Sequence, residues 1–458
     1  MAWFSTRLGF SGLAPRSAPA GDSRILSTSG RHSRRRIRPF ALALALLMAT
    51  SMWFYVQKVL IPYQEADAAR YGRPRGNFSD LYPRWLGSRE LLLHRIDPYS
   101  PQVTREIQVG YYGRELDPAR QYDPKDQQGF VYPVYVAFLL APFLHLDFSL
   151  VRLGFTWVLA GLILATVLLW VKALHWRISP GGKAVFLLLV IGSFPAAQAI
   201  KLQQLTILVS AMLAVAAAAI AAGWLPLAGL LLALSTIKPQ LALPLLVYLL
   251  LWVIGDWPRR WPLLASFTLT LGALCGAGEW VLPGWVAKFV AALEAYQHYT
   301  GQVSVLSILL MPTGGVIATV CLLLGLALLG WKLRRAPEGS PTFGLMLAFS
   351  LVVTVMVIPT GSPYNQLLLL PAVILLMRDW RQLSRLGSLA RLLYIVVAAL
   401  LVWPWVATLY LSASWFLEPA AAVQRGWALP LYTSILIPFC VLVLLALDAL
   451  WSRLPLPG

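Results

Sequence analysis

The sequence predicts an all-α, polytopic membrane helical bundle of about twelve transmembrane helices, with a long first outer loop that carries surface helices. Three observations carry that expectation. Of 458 residues, 59% are hydrophobic and only 12% are charged, against roughly 25% charged in a soluble globular chain. Mean hydropathy is +0.69. Apolar runs of about 17–25 residues recur, the length that crosses roughly 30 Å of hydrocarbon, and in that solvent a run must be helical to satisfy its own backbone.

In chain order, spans are expected at 40–60, 149–171, 183–199, 204–222, 225–237 and 239–254, then at 260–282, 315–331, 343–358, 363–377, 391–411 and 430–450. The shorter apolar piece 131–146 enters and leaves from one side. In the alternative it spans, 225–254 becomes one interrupted helix, and the count is again twelve. Residues 1–38 read as a basic, disordered cytosolic tail ending in Arg31, Arg34, Arg35, Arg36 and Arg38. Residues 39–453 read as one transmembrane domain, with 61–130 as its first outer loop.

The net charge of +18 does not point to nucleic acid, because the excess sits in short loops. Lys172, Arg177 and Lys183 fall in one, and Arg259 and Arg260 in the next. Lys332, Arg334 and Arg335 follow, then Arg378, Arg381, Arg385 and Arg391. That is the positive-inside bias, which places these loops and both termini in the cytosol. Segments 61–130, 283–302, 359–363 and 412–429 then share the outer face. Cys275, Cys321 and Cys440 lie far apart within apolar runs, so neither a disulfide framework nor a metal site is read there.

Within the outer loop, Asp80 to His94 and Pro101 to Leu116 read as short helices along the surface, with Leu81, Trp85 and Leu92 near one face of the first. Asp80, in Asn77-Phe78-Ser79-Asp80-Leu81-Tyr82-Pro83-Arg84-Trp85, admits two readings that do not exclude each other. It suits a helix N-cap, with Pro83 in the first turn. It also suits a general base at the membrane boundary, where partial desolvation keeps a carboxylate basic.

Asp97-Pro98-Tyr99 and Phe130-Val131-Tyr132-Pro133 are turn-like signals on their own. Lys238, in Ser235-Thr236-Ile237-Lys238-Pro239-Gln240, interrupts about thirty apolar residues. A buried ammonium beside a helix-breaking proline can hold a lipid phosphate, or it can snorkel to the interface. Lys201, Gln203 and Gln204 pose the same question, and they also suit a turn between spans. Pro359-Thr360-Gly361-Ser362-Pro363-Tyr364-Asn365-Gln366 breaks a helix and predicts a cavity opening to the outer face. Gly301-Gln302-Val303-Ser304, after Glu294 and His298, is a loop signal.

The order of these motifs resembles glycosyltransferase family 87. An Asp-hydrophobe-x-x-aromatic element after the first helix is followed by Asp-Pro-Tyr, then by Tyr-Pro opening an apolar run. Gln203-Gln204, Gly229 with Lys238-Pro239, and Gln302-x-Ser304 continue the likeness over roughly 50 to 380. The resemblance implies a GT-C fold and inverting transfer of a sugar, a hexose such as mannose, from a polyprenol-phosphate donor on the extracytoplasmic face of the plasma membrane. It implies Asp80 as catalytic base and Lys238, with Arg84, as the donor phosphate's partners. Tyr82, Asp97, Tyr99, Tyr132, Gln204, Gln240, Tyr364 and Asn365 are the expected substrate-binding residues. Asn365 stands where many relatives carry histidine, and it can hydrogen-bond but not carry a proton at neutral pH. No metal or cofactor is expected. The expected partners are the lipid-linked donor and a saccharide or glycolipid acceptor. A transporter or flippase of lipid-linked saccharides is the alternative, and a non-catalytic assembly protein a third reading.

Overall fold

The computed structural model describes residues 39–73, 78–117, 119–359, 361–383, 385 and 387–452, all within one compact unit, Ile37–Gly458. The tail expected at 1–38 lies outside the described residues. Helices alone make up the regular structure among the described residues.

The first helix, α1 (Pro39–Tyr55), runs through a π turn at Val56–Leu60 into α2 (Ile61–Arg70). The helix therefore continues ten residues past the expected membrane boundary. The first long loop then supplies α3 (Tyr82–His94) and α4 (Pro101–Tyr112), and the short α5 (Val136–Leu140) follows it. Next come α6 (Phe148–Ala173), the bent pair α7 (Pro180–Ile191) and α8 (Phe194–Lys201), and α9 (Thr206–Ala221). Three closely spaced helices follow, α10 (Leu225–Ser235), α11 (Pro239–Gly255) and α12 (Trp257–Val281). The remainder is α13 (Trp285–Thr300), α14 (Val305–Lys332, kinked at Met311), α15 (Pro341–Val357), α16 (Leu370–Leu383), α17 (Ser388–Ser414), α18 (Ala420–Gln424) and α19 (Leu436–Ser452).

Among the described residues six helical stretches are long and apolar enough to cross a membrane: Pro39–Arg70, Phe148–Ala173, Trp257–Val281, Val305–Lys332, Ser388–Ser414 and Ala420–Ala449. The bent α7–α8 pair, turned by 55°, makes a seventh if it is one span. By length and composition alone, six or seven stretches qualify as spans, against the twelve expected. The other expected spans coincide with shorter helices, because apolar runs in the sequence carry on through turns where the helix stops. The piece 131–146 holds only α5 and a three-residue 3-10 turn, Ala141–Phe143, well short of the roughly 20 residues a span needs.

The surface helices form where their punctuation places them. Ser100 caps α4 by accepting from the Val103 N–H, and Gly113, at φ 88°, ends it in the left-handed conformation that glycine adopts without steric cost. The α3 face holding Leu81 and Trp85 is covered by protein, not lipid: both are buried, and Trp85 Nε1 donates to Phe143 O at 3.1 Å.

Helices α6, α9 and α11 share two ends, and this sets the molecule's polarity. At one end, α6 begins where Phe148 packs against Phe78, Tyr82 and Trp85, and α9 and α11 begin beside Lys238. At the other end the basic loops meet. Arg378 Nη1 donates to Leu174 O, just past α6, at 2.6 Å. A Cβ added to Gly255, the last residue of α11, would fall 2.2 Å from Arg334 O. Arg260, 3% exposed, donates to the carbonyls of Trp252, Arg334 and Ala336 and pairs with Glu338. The 16 residues of α9 alone separate the two ends by about 24 Å.

Candidate active site

Asp80 sits in the turn before α3, and its N–H donates to Leu202 O at 2.9 Å, tying the first long loop to the turn after α8. It does not cap α3. That helix has Leu81 at its N-cap with no side-chain bond, and the Asp80 carboxylate is turned to other partners. Tyr111 Oη donates to Oδ1 at 3.3 Å, and Gln204 Nε2 donates to Oδ2. Arg84, one turn on, donates through Nη1 to Asp80 O at 2.6 Å and stacks over Tyr132 at 4.5 Å. Burial by itself disfavours the Arg84 charge, but Tyr132, Asp80, Tyr296 and Asp126 outweigh it and raise its pKa, so the guanidinium stays charged.

The glutamine pair is placed by a Schellman end to α8. Gln203 N–H bonds to Ile200 O at 3.1 Å and Gln204 N–H to Ala199 O at 2.8 Å, with Gln203 at φ 49°. A non-glycine residue in that conformation costs about 1–2 kcal/mol. Gln203 offsets part of it with its own side chain, which donates to Ile200 O at 2.8 Å and Thr156 Oγ1 at 3.2 Å. Gln203 locks the turn, and Gln204 enters the site.

Lys238, 8% exposed, is the N-cap residue of α11, where Pro239 starts the helix without needing an N–H partner. The preceding turn is pinned by Tyr135 Oη on Thr236 O at 3.0 Å. From there Lys238 Nζ donates to Gln204 Oε1 at 2.8 Å and Thr206 Oγ1 at 2.9 Å. Thr206 Oγ1 donates in turn to Oδ1 of Asn365, 2% exposed, at 3.3 Å. The ammonium also faces the rings of Tyr364 at 5.5 Å and Tyr132 at 5.9 Å.

Asp80, Arg84, Tyr132, Gln204, Lys238, Gln240, Tyr364 and Asn365 line one cavity of about 250 Å3. Eight residues singled out from sequence, 285 positions apart at the extremes (365 − 80), are brought together. Three are not. Tyr82 packs among Phe78, Trp85 and Phe148. Asp97 accepts from the Tyr99 N–H at 2.9 Å and pairs with Lys288 at 2.8 Å. Tyr99 Oη donates to Tyr132 O at 2.6 Å, so Tyr99 buttresses a wall of the cavity from behind.

A family model described as glycosyltransferase family 87 matches residues 130–359, half of the chain. The chain belongs to glycosyltransferase family 87. It is a membrane glycosyltransferase, and the cavity is where the family's matched segment meets the rest of the chain. Tyr132, Gln204, Lys238 and Gln240 lie inside that segment, whereas Asp80, Arg84, Tyr364 and Asn365 lie outside it and are joined to it by folding. The match is narrower than the span of roughly 50 to 380 read from motif order. No match was found among curated proteins or solved structures.

Several lining residues carried no signal that sequence reading picked up. Asp126, Gln128 and Tyr296 line the glycosyltransferase cavity, and Tyr111 and Thr206 bond into its network. Asp126 reads as ordinary turn chemistry, since its Oδ1 accepts the Gln128 N–H at 2.9 Å. Thr206 could have been found, standing two residues past Gln204 at the head of an apolar helix.

Proposed function

We propose that this glycosyltransferase moves a hexose such as mannose from a polyprenol-phosphate donor to an acceptor hydroxyl, with inversion. The observation that carries the reading is one continuous bridge: carboxylate Asp80, amide Gln204, ammonium Lys238, all in one cavity. Asp80 takes the acceptor hydroxyl's proton as that oxygen bonds to the anomeric carbon. The bond from the anomeric carbon to the phosphate oxygen breaks, and its electron pair leaves with the phosphate, which gains one negative charge. Lys238 and Arg84 meet that charge in a site with little water, while Tyr364, Asn365 and Gln240 orient the sugar. Among the described residues no three His, Cys, Asp or Glu gather as a metal site would, and the proposal uses no metal or cofactor.

The sidedness is part of the same reading. The basic loops stand at the end opposite the cavity, which supports a cytosolic face there and an extracytoplasmic active site in the plasma membrane, both termini inside. The shorter helices α9, α10 and α11 run between the same ends as α6, which supports a GT-C-like bundle with about twelve crossings.

The test is sugar transfer from synthetic polyprenyl-phosphate-mannose by purified protein in detergent, wild type beside Asp80→Asn. Donor consumption by wild type, reduced about 10²–10⁴-fold in the variant, supports both reaction and base. Equal rates in the two proteins sink the assignment of Asp80.

A further inference from the structure

The cavity holds a second carboxylate, and the catalytic scheme above leaves it unused. Asp126 lines the cavity wall with Gln128 and Gly129, on the last stretch of the outer loop. It is held firmly. Its carbonyl accepts from Tyr112 Oη at 2.9 Å, and its Oδ1 accepts the Gln128 N–H. Next door, Gln127 is tied to the Gln108 amide through both its backbone and side-chain oxygens, at 3.2 and 3.0 Å. Among the described residues the other carboxylate oxygen, Oδ2, makes no hydrogen bond, and Asp126 makes no ion pair. Burial pushes the Asp126 carboxyl up, the Gln128 N–H pulls it down, and the opposed charges of Asp80 and Arg84 act more weakly; the net direction is upward. A fixed carboxylate with an uncommitted oxygen is a ready acceptor for a neutral hydroxyl.

The space continues past Asp126. Gly129 lines this cavity and also a second one of about 400 Å3, between α4 and α13, whose walls include Thr104, Arg105, Glu115 and Tyr299. A Cβ at Gly129 would lie 3.8 Å from Thr104 Oγ1 and 4.0 Å from Tyr299 Oη, so a larger side chain there would project between them. Arg105 and Glu115 make no ion pair among the described residues and line a further pocket together. The first cavity, at about 250 Å3, is below the roughly 300–1,000 Å3 of ordinary small-molecule sites. It fits the reacting groups and not a long acceptor besides.

We propose that Asp126 and the passage beyond Gly129 form the acceptor subsite: Asp126 Oδ2 accepts a hydroxyl of the acceptor sugar, and further rings of the acceptor lie between α4 and α13. This rests on the transferase reading above. It makes Asp126 a binding and positioning residue, with proton removal left to Asp80.

The experiment uses the full chain in detergent, polyprenyl-phosphate-mannose as donor, and α-linked manno-oligosaccharides of one to four rings as acceptors. Asp126→Asn keeps an oxygen for the Gln128 N–H, and is expected to raise the acceptor KM about tenfold or more while the donor KM stays within about twofold. Gly129→Leu is expected to lower kcat/KM for three rings relative to one. Saturation-transfer NMR of mannotriose without donor reads binding independently of chemistry; wild type is expected to show contacts to more than one ring, which weaken in Asp126→Asn. An unchanged acceptor KM in Asp126→Asn, or no gain in binding from one ring to three, overturns the subsite. Failure of the transferase reading looks different: wild type consumes no donor, and the NMR comparison still decides the subsite.

Discussion

Lys238 Nζ donates to Gln204 Oε1 at 2.8 Å, and that bond fixes which way the Gln204 amide lies. An ammonium can only donate and an ionised carboxylate can only accept. The amide oxygen must therefore face Lys238, and its NH2 must face Asp80. Gln204 separates two opposite charges that could otherwise collapse into a direct ion pair, leaving each with capacity for substrate.

Glutamate at position 204 is the sharpest test of that relay. Gln204→Glu keeps an acceptor for Lys238 but sets a second carboxylate against Asp80. Transfer should fall at least about tenfold, a price set by like-charge repulsion in a low-dielectric site. Steady-state rates at saturating donor measure it, and a fully active variant would show that the amide is not used.

Removing the ammonium should cost more. Lys238→Met leaves Gln204 Oε1 and Thr206 Oγ1 without their donor and takes away the buried cation proposed to meet the leaving phosphate. A drop of about 10²–10³ in kcat is expected. A loss confined to donor KM would point to ground-state binding instead.

Gly229 is a packing position. A Cβ there would fall 2.2 Å from Leu263 O and 2.8 Å from Phe267 N, backbone atoms of α12 that cannot swing aside. Gly229→Leu should destabilise the α10–α12 contact by about 1–3 kcal/mol or more. Thermal unfolding in detergent would reveal it, and an unchanged midpoint would mean the two helices are not held so close.

The loop between α2 and α5 carries an acid-sensitive clasp. Arg114 grips Asp123 through both terminal nitrogens and also donates to Gly72 O at 2.9 Å. That grip pulls the Asp123 carboxyl down to about 2. Because its native pKa is depressed, the clasp stabilises the loop above the unfolded carboxylate range, near pH 4, and loses that contribution as pH falls through about 2. Amide exchange across 113–123 should accelerate over that window in wild type. It should be fast at every pH in Arg114→Met, and a flat wild-type profile would refute the clasp.

The sequence alone determined the solvent of the fold and the kind of chemistry. Long apolar runs in a chain with few charges leave helices as the only spanning structure, and the basic residues report which loops lie together. Arg378 meeting Leu174 joins the first of those loops to the last, and Arg260 meeting Arg334 joins the second to the third. Lys238 and Asn365 were legible because an ionisable or amide group amid apolar residues needs a partner. What only the tertiary structure decided was the pairing. Whether Asp80 caps its helix or faces Gln204 depends on a turn 122 residues away (202 − 80), which no local pattern encodes. Asp126 was invisible for the same reason: its turn bond is local, but the direction of its free oxygen is set by where α4 and α13 pack. Helix length shows the converse limit. Hydropathy measures how apolar a run is, and a helix ends where the backbone turns, as at Lys238-Pro239.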